Sequence, residues 1–346
     1  MKVAFLGSSY SDNFGDVLLF KLFLSWIKEV VPTATAIIPF AAGAFRKSLE
    51  ADQYGMRYLP LVDKVVFVGG GYLGEPPTSQ FSWSLRNFCR HVPGFLVSQI
   101  MSKPIGVFGV GVGPVSSSPY RWFVKELARK SKVFCVRDVE SLEHVHAIAG
   151  DCGVNLVADA ALSLATVSEL LPTVRCGSTD SPRKTRLGLH VHVPQSFKEK
   201  SCHVIDAILG FCDTRDIEVF FLLDERHQTY SHPVSSRGTV VKYTSVEQLI
   251  QSIFDLDVIV TTKLHVGIVA MSLGKRVMGL PFHSKTQRFY SQTRSPFCVP
   301  LDRLSVDMLP SLLEDILNSK CFTIPRDVKD LSLLNKTLLH KFLLEA

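Results

Sequence analysis

Apolar, β-prone runs alternate with stretches of helical spacing along most of the chain. Strands are predicted at KVAFLG (2–7), ATAIIPF (34–40), KVVFVGGG (64–71), PIGVFGVGVGP (104–114) and KVFCVRD (132–138). Between them lie GDVLLFKLFLSWIKEV (15–30), RNFCRHVPGFLVSQIM (86–101), YRWFVKELARK (120–130) and VESLEHVHAIAG (139–150). Their apolar positions recur at the spacing of one helix face. Proline lacks the backbone donor and crowds the preceding turn, so Pro93 is expected to interrupt the second helix. NLVADAALSL (155–164) closes this half.

The segment CGSTDSPRKTR (176–186) then breaks the pattern: it is polar, without apolar period, and reads as an inter-domain linker. A second series follows, with strands at 186–193, 217–224, 258–262 and 276–282 and helices at 201–215, 245–257 and 264–274. The expected organisation is a first domain at 1–175, a linker at 176–186, a second domain at 187–325 and a C-terminal helix at 326–346. Alternation of this kind implies an α/β fold with a parallel sheet in each half. In such sheets ligands bind outside the carboxyl ends of the strands. A cleft between two facing sheets is therefore the expected site.

Composition narrows the function. A net charge of +6, from 38 Lys and Arg against 32 Asp and Glu, suits an anionic small molecule or an anionic membrane surface. It is too slight to argue for nucleic acid. The eight cysteines form no CxxC pair and no zinc-finger spacing with histidine, so they read as reduced thiols of a cytoplasmic protein. No run has the length of a membrane helix.

Candidate chemistry sits where the predicted strands end. After the first strand, Asn13 and Asp16 either cap a helix or help its N-terminus hold an anion. Gly70 and Gly71, and the glycines of GVGVGP, let a ligand approach or simply make tight turns. Arg137 either forks onto a carboxylate or phosphate or pairs with Asp138 or Glu140. Asp159 is a cap or a base aimed at the cleft. His190 and His192 share a strand face by period two; no third ligand is apparent, so no metal is expected. The densest signal is TTKLHVGIVAMSLGKRVMGLPFHSKTQRFY (261–290). Lys263 and His265 flank a helix start, and Lys285 and Arg288 follow the next strand. Residues 262–290 contain no Asp or Glu, so an external anion is the expected counter-charge.

These pieces together resemble the polysaccharide pyruvyl transferase family: NFGD, the two glycine-rich exits, VRDVES, ADAAL and TTKLHVGIVAMSLGKRVMGLPFHSKTQRF, over about Lys2 to Tyr290. The resemblance implies two Rossmann-like domains facing a central cleft, in a glycosyltransferase-B-like arrangement. It implies transfer of a pyruvyl group from phosphoenolpyruvate to two hydroxyls of a sugar or lipid-linked oligosaccharide, giving a cyclic ketal and phosphate. The family holds its donor with an Arg-Leu-His motif and an upstream arginine, which fall here on Lys263-Leu264-His265 and Arg137. Lysine in place of arginine keeps the charge and loses the bidentate fork.

On this reading His265 is the general acid and Asp159 or Asp16 the base. Arg137, Lys263, Leu264, His265 and Lys285 bind phosphoenolpyruvate, with Asn13, Gly70, Gly71, His190 and Arg288 as further contacts. No cofactor is expected. The acceptor loops are expected at 72–86 and 225–243, and peripheral contact with the inner face of a membrane is compatible with the charge. The alternatives are a nucleotide-sugar glycosyltransferase of the same architecture, which would need an acid for the ribose, and a non-catalytic binder of anionic glycan or lipid.

Overall fold

The computed structural model describes residues 1–49, 51–76, 80–173, 183–229 and 237–345. The chain divides into two compact units, Met1–Ser163 with Asp327–Ala346, and Leu164–Arg326. The expected linker at 176–186 lies mostly outside the described residues, as do parts of the two expected acceptor loops.

In the first unit eight strands form one sheet: β1 (Lys2–Leu6), β2 (Thr35–Ile38), β3 (Gln53–Tyr54), β4 (Lys64–Phe67), β5 (Gly70–Leu73), β6 (Ile105–Val112), β7 (Val133–Val136) and β8 (Val154–Leu156). The order is β3-β2-β1-β4-β6-β7-β8, with β5 beside β6. Every pairing is parallel. Strands covered on both faces read as continuous apolar runs, and β4 and β6 are buried along their whole length. The helices are α1 (Phe14–Val30), α2 (Gly43–Ser48), α3 (Gln80–Ile100), α4 (Ser118–Lys130) and α5 (Val139–Ala149).

Two expectations need correction here. The run 64–71 is not one strand: it splits at Val68–Gly69, and Gly70 takes φ +143°, which only glycine adopts easily. Nor does Pro93 break α3, which runs through it. Tertiary packing overrides the lost bond: Val92 and Phe95 are buried on either side, and the bare Cα of Gly94 lets Leu6 of β1 lie against the helix.

The second unit has a five-stranded parallel sheet of β9 (Arg186–His190), β10 (Glu218–Leu222), β11 (Thr239–Val241), β12 (Val258–Thr261) and β13 (Arg276–Gly279), in the order β11-β10-β9-β12-β13. Its helices are α6 (Lys198–Asp213), α7 (Val246–Phe254), α8 (Leu264–Ser272), α9 (Ser284–Gln292) and α10 (Leu309–Asn318). Leu187, Leu189, Val258 and Val260 of the central strands pack with Val204 and Ile208 of α6 in one core.

The last helix, α11 (Arg326–Leu344), returns to the first unit. Its Asn335 donates to the carbonyl of Ala158 at 2.8 Å, and Lys64 of β4 donates to the carbonyl of Phe342 at 2.6 Å. All seven cysteines among the described residues are free thiols.

Candidate functional site

Strand order locates the two places where a ligand is most easily held. In each sheet the chain starts at a central strand, builds to one side and then returns to the other. The reversal falls between β1 and β4 in the first sheet and between β9 and β12 in the second. Crevices in doubly wound folds open at such points. The exits concerned are 7–13 and 68–70 in the first unit, and 191–193 and 262–263 in the second.

At the β12 exit, Thr261 and Thr262 set the position of Lys263. The Thr261 hydroxyl accepts from the Lys263 backbone N–H at 3.0 Å. The Thr262 hydroxyl accepts from the His192 N–H at 3.1 Å and donates to the His192 carbonyl at 3.0 Å. The exits of β9 and β12 are thereby stitched together. Lys263 becomes the N-cap residue of α8, with Leu264 buried and His265 half-buried in the first turn.

The absence of acid within 262–290 does not leave Lys263 without an internal counter-charge. Asp224, just past β10, brings its Oδ2 to 3.4 Å from the Lys263 Nζ, and Glu225 Oε1 lies at 3.9 Å. The acids come from a strand exit far away in sequence, which the local pattern cannot show. Asp224 is buried, and its Oδ1 meets His190 Nε2 at 3.0 Å. Burial alone would raise the Asp224 carboxyl; the His190 ring and the Lys263 ammonium more than offset this and hold it far below the usual carboxylate range. The Asp224 backbone N–H donates to Gln228 Oε1 at 2.7 Å.

His190 is therefore not presented to solvent as a substrate contact. Its side chain is wholly buried beneath Asp224, while His192 lies beyond the strand and is exposed. The two do not form a metal pair, and among the described residues no group of three His, Cys, Asp or Glu is placed to hold a metal ion.

Two histidine rings lie within the field of Lys263. His283, the N-cap residue of α9, is pushed down to about 4 by burial and by the charges of Lys285 and Lys263. His192 is likewise lowered, by burial, Lys263 and His190. Lys263 thus acts on both rings, and Lys285, exposed in the first turn of α9, acts on His283. Arg288 lies half-buried one turn further along α9. Next to this edge an open pocket runs from His192 past Gln195, Lys198 and Cys202 to Gln228.

In the first unit, Arg137 leaves β7 into a buried ion cluster. Its Nη1 is 3.4 Å from Asp159 Oδ2 and its Nε 3.7 Å from Asp138 Oδ2. Gly111 makes room for it: a Cβ there would sit 2.8 Å from Arg137 Nη2. Asp138 caps α5 through the Ser141 N–H at 2.8 Å, and Asp159 accepts from the Ala161 N–H at 3.1 Å. Asn13 caps α1 by accepting from the Gly15 N–H at 3.1 Å, and Asp16 is half-buried in the first turn.

The glycine-rich exits serve backbone packing at several points. A Cβ on Gly69 would stand 3.0 Å from the Gly109 carbonyl, and one on Gly74 2.4 Å from that of Gly113. Gly70 is buried and Gly71 exposed in β5.

The candidate residues read from the sequence do not include Asp224, Glu225 or Glu75. Glu75 is buried past β5 and accepts from Ser116 N–H at 2.6 Å and Ser117 N–H at 3.0 Å. Burial would raise its carboxyl, but bonds from Ser116 and Ser84 bring it below the ordinary value. An acid at the end of an apolar strand run, as in IEVFFLLD, is the signal that marks Asp224.

The family model of the polysaccharide pyruvyl transferases matches residues 13–284, a range that takes in the switch point of the second sheet and the start of α8. The chain belongs to the polysaccharide pyruvyl transferase family. No curated protein sequence matches this family member. In fold it is similar to the UDP-GlcNAc 2-epimerase of Methanocaldococcus jannaschii, with a TM-score of 0.63 at 10% identity over 98% of this chain and 99% of that one. The Neisseria meningitidis enzyme bound to UDP-GlcNAc gives 0.60 at 12%, with all of both chains covered. That of Rickettsia bellii gives 0.61 at 10%, over 99% of this pyruvyl transferase relative and 96% of the epimerase. At such identities the likeness shows the fold: two Rossmann-like units with parallel sheets.

Proposed function

We propose that this protein transfers the pyruvyl group of phosphoenolpyruvate to two hydroxyls of a sugar in a surface polysaccharide or its lipid-linked precursor. The observation that carries this reading is the family match, with Lys263-Leu264-His265 standing at the N-terminus of α8. Phosphoenolpyruvate packs a phosphate and a carboxylate, about three negative charges, into a few atoms. Lys263, Lys285, the dipole of α8 and Arg137 are the groups suited to it.

Protonation of the enol methylene, for which His265 is the acid, makes C3 a methyl and C2 an oxocarbenium-like centre. A sugar hydroxyl adds to C2 and gives up its proton, for which Asp159 or Asp16 is the base. The C2–O bond to phosphate breaks, a second hydroxyl adds, and its proton leaves with the phosphate. One phosphate and one cyclic ketal result, with no change of oxidation state. The cations do the charge neutralisation, so the scheme uses no cofactor.

The test incubates the protein with phosphoenolpyruvate and simple or lipid-linked galactosides, mannosides and glucosides. Phosphate release together with a product heavier by one pyruvyl unit is expected. Turnover of a nucleotide sugar, with no phosphate released from phosphoenolpyruvate by any acceptor, would assign the chain to a glycosyltransferase instead.

A further inference from the structure

The helix α3 carries an apolar stripe that the fold leaves uncovered. Its inner face, with Asn87, His91, Phe95 and Ser98, is buried against the first sheet. On the opposite face Phe81, Leu85, Leu96 and Ile100 are 78%, 54%, 42% and 79% exposed. At 100° per residue these four fall within about one third of the helix circumference, so they line one side of α3 as two pairs about 16 Å apart along its axis. Met101 extends the second pair. Exposed apolar residues also stand on the elements packed against α3: Leu61 on the short 3-10 turn Met56–Leu61, and Trp122 on α4. Large apolar side chains gathered on one side of an element mark a surface that docks on something.

Charge indicates what it docks on. Residues 80–103, α3 and the turn after it, carry Arg86, Arg90 and Lys103 and no Asp or Glu. Arg86 and Arg121 are exposed, and Arg90 lies over the Tyr10 ring at the edge of the helix. An apolar helix side bordered by cations is the pattern of a helix that lies in a bilayer interface and attracts anionic headgroups. A second copy of the chain is a poorer occupant, because a two-fold contact through α3 would set the helix's own cations against each other, with no acid on the helix to pair them.

We propose that the exposed face of α3 is a docking surface for an anionic lipid bilayer, with Phe81, Leu85, Leu96 and Ile100 entering the acyl boundary and Arg86 meeting headgroups. The chain would then be held on the membrane peripherally, since no helix among the described residues is long and apolar enough to cross it. The inference does not depend on the donor chemistry proposed above.

Co-sedimentation of the full chain with vesicles tests it. Vesicles of phosphatidylcholine alone are compared with vesicles holding about three parts in ten phosphatidylglycerol, at about 0.05 M and about 0.5 M salt. Partition onto the anionic vesicles is expected to exceed that onto neutral ones by at least about tenfold and to fall with salt. Phe81→Ser with Ile100→Ser is expected to cut it at least about tenfold with the melting temperature near wild type, because both side chains are nearly four-fifths exposed. Light scattering gives the oligomeric state. Absence of wild-type partition onto anionic vesicles overturns the proposal. So does partition that the double variant leaves intact, or a dimer that the double variant dissociates while neither form binds vesicles.

Discussion

Asp224 Oδ2 stands 3.4 Å from the Nζ of Lys263, with its other oxygen 3.0 Å from His190 Nε2. The lysine that leads α8 is therefore held by an ionised carboxylate anchored on a buried histidine. Removing one partner of a buried charged pair leaves the rest unsatisfied. Asp224→Ala is expected to cost about 3 kcal/mol of stability, read by urea denaturation. A midpoint equal to wild type would show that the pair is not formed.

Lys263→Ala and His265→Ala are expected to lower phosphate release from phosphoenolpyruvate by at least about a hundredfold with circular dichroism near wild type, Lys263→Ala also lowering the melting temperature because buried Asp224 loses a partner. Lys263→Arg, which restores the charge, should retain much more activity than the alanine variant. Wild-type rates in both alanine variants would remove these residues from the site.

Gly111→Ala should act on Arg137. The added methyl would lie 2.8 Å from its Nη2, so the guanidinium, 3.4 Å from Asp159, must shift. If Arg137 grips the donor carboxylate, KM for phosphoenolpyruvate rises at least about tenfold in this variant. An unchanged KM would leave Arg137 with its ion pairs alone.

Tyr290 is a packing key for the 261–290 stretch. Its ring fills the space beside Gly279, where a Cβ would sit 2.4 Å from it, and its hydroxyl is 2.4 Å from where a Cβ of Gly267 would be. Gly279→Ala is expected to destabilise the fold by about 2 kcal/mol through overpacking. Equilibrium denaturation measures it, and a loss well below that would mean the ring is free to shift.

His91 should govern acid stability. It is buried against the Tyr72 ring at 4.6 Å, and burial together with Arg90 pushes it down to about 3. The neutral form is the one that folds. Its stabilisation is complete above the unfolded value of about 6.5 and is lost as pH falls from there toward about 3. The melting temperature of the wild type should drop over this window, and His91→Phe should flatten the drop. His283, lowered to about 4, adds a smaller slope of the same sign. Parallel curves for wild type and His91→Phe would exclude this role.

Much of the fold is legible in the sequence because parallel strands buried on both faces leave unbroken apolar runs. The predicted strands at 104–114 and 258–262 match β6 and β12 to within two residues at each end, whereas 64–71 holds β4 and the start of β5. Short or edge elements left no such mark: β3 has two residues and β11 three. Pro93 misled because the local cost of proline is outweighed by the packing of Val92, Gly94 and Phe95.

For the site, the placing of Lys263 and His265 at a helix start followed from the TTKLH pattern. Their acidic partner did not, because Asp224 reaches Lys263 through strand neighbours separated by almost forty residues, β10 beside β9 beside β12. His190 was misplaced for a related reason. Period two puts it on the face of His192 only while the strand lasts, and β9 ends at His190.

The central claim is tested most directly by running the reaction in heavy water with phosphoenolpyruvate and a sugar acceptor and reading the methyl region by proton NMR. Ketal transfer with a proton delivered to C3 predicts a new ketal methyl signal carrying one deuterium, growing in step with free phosphate. Vinyl signals of phosphoenolpyruvate that persist with every acceptor, or a methyl signal belonging only to free pyruvate, would contradict it.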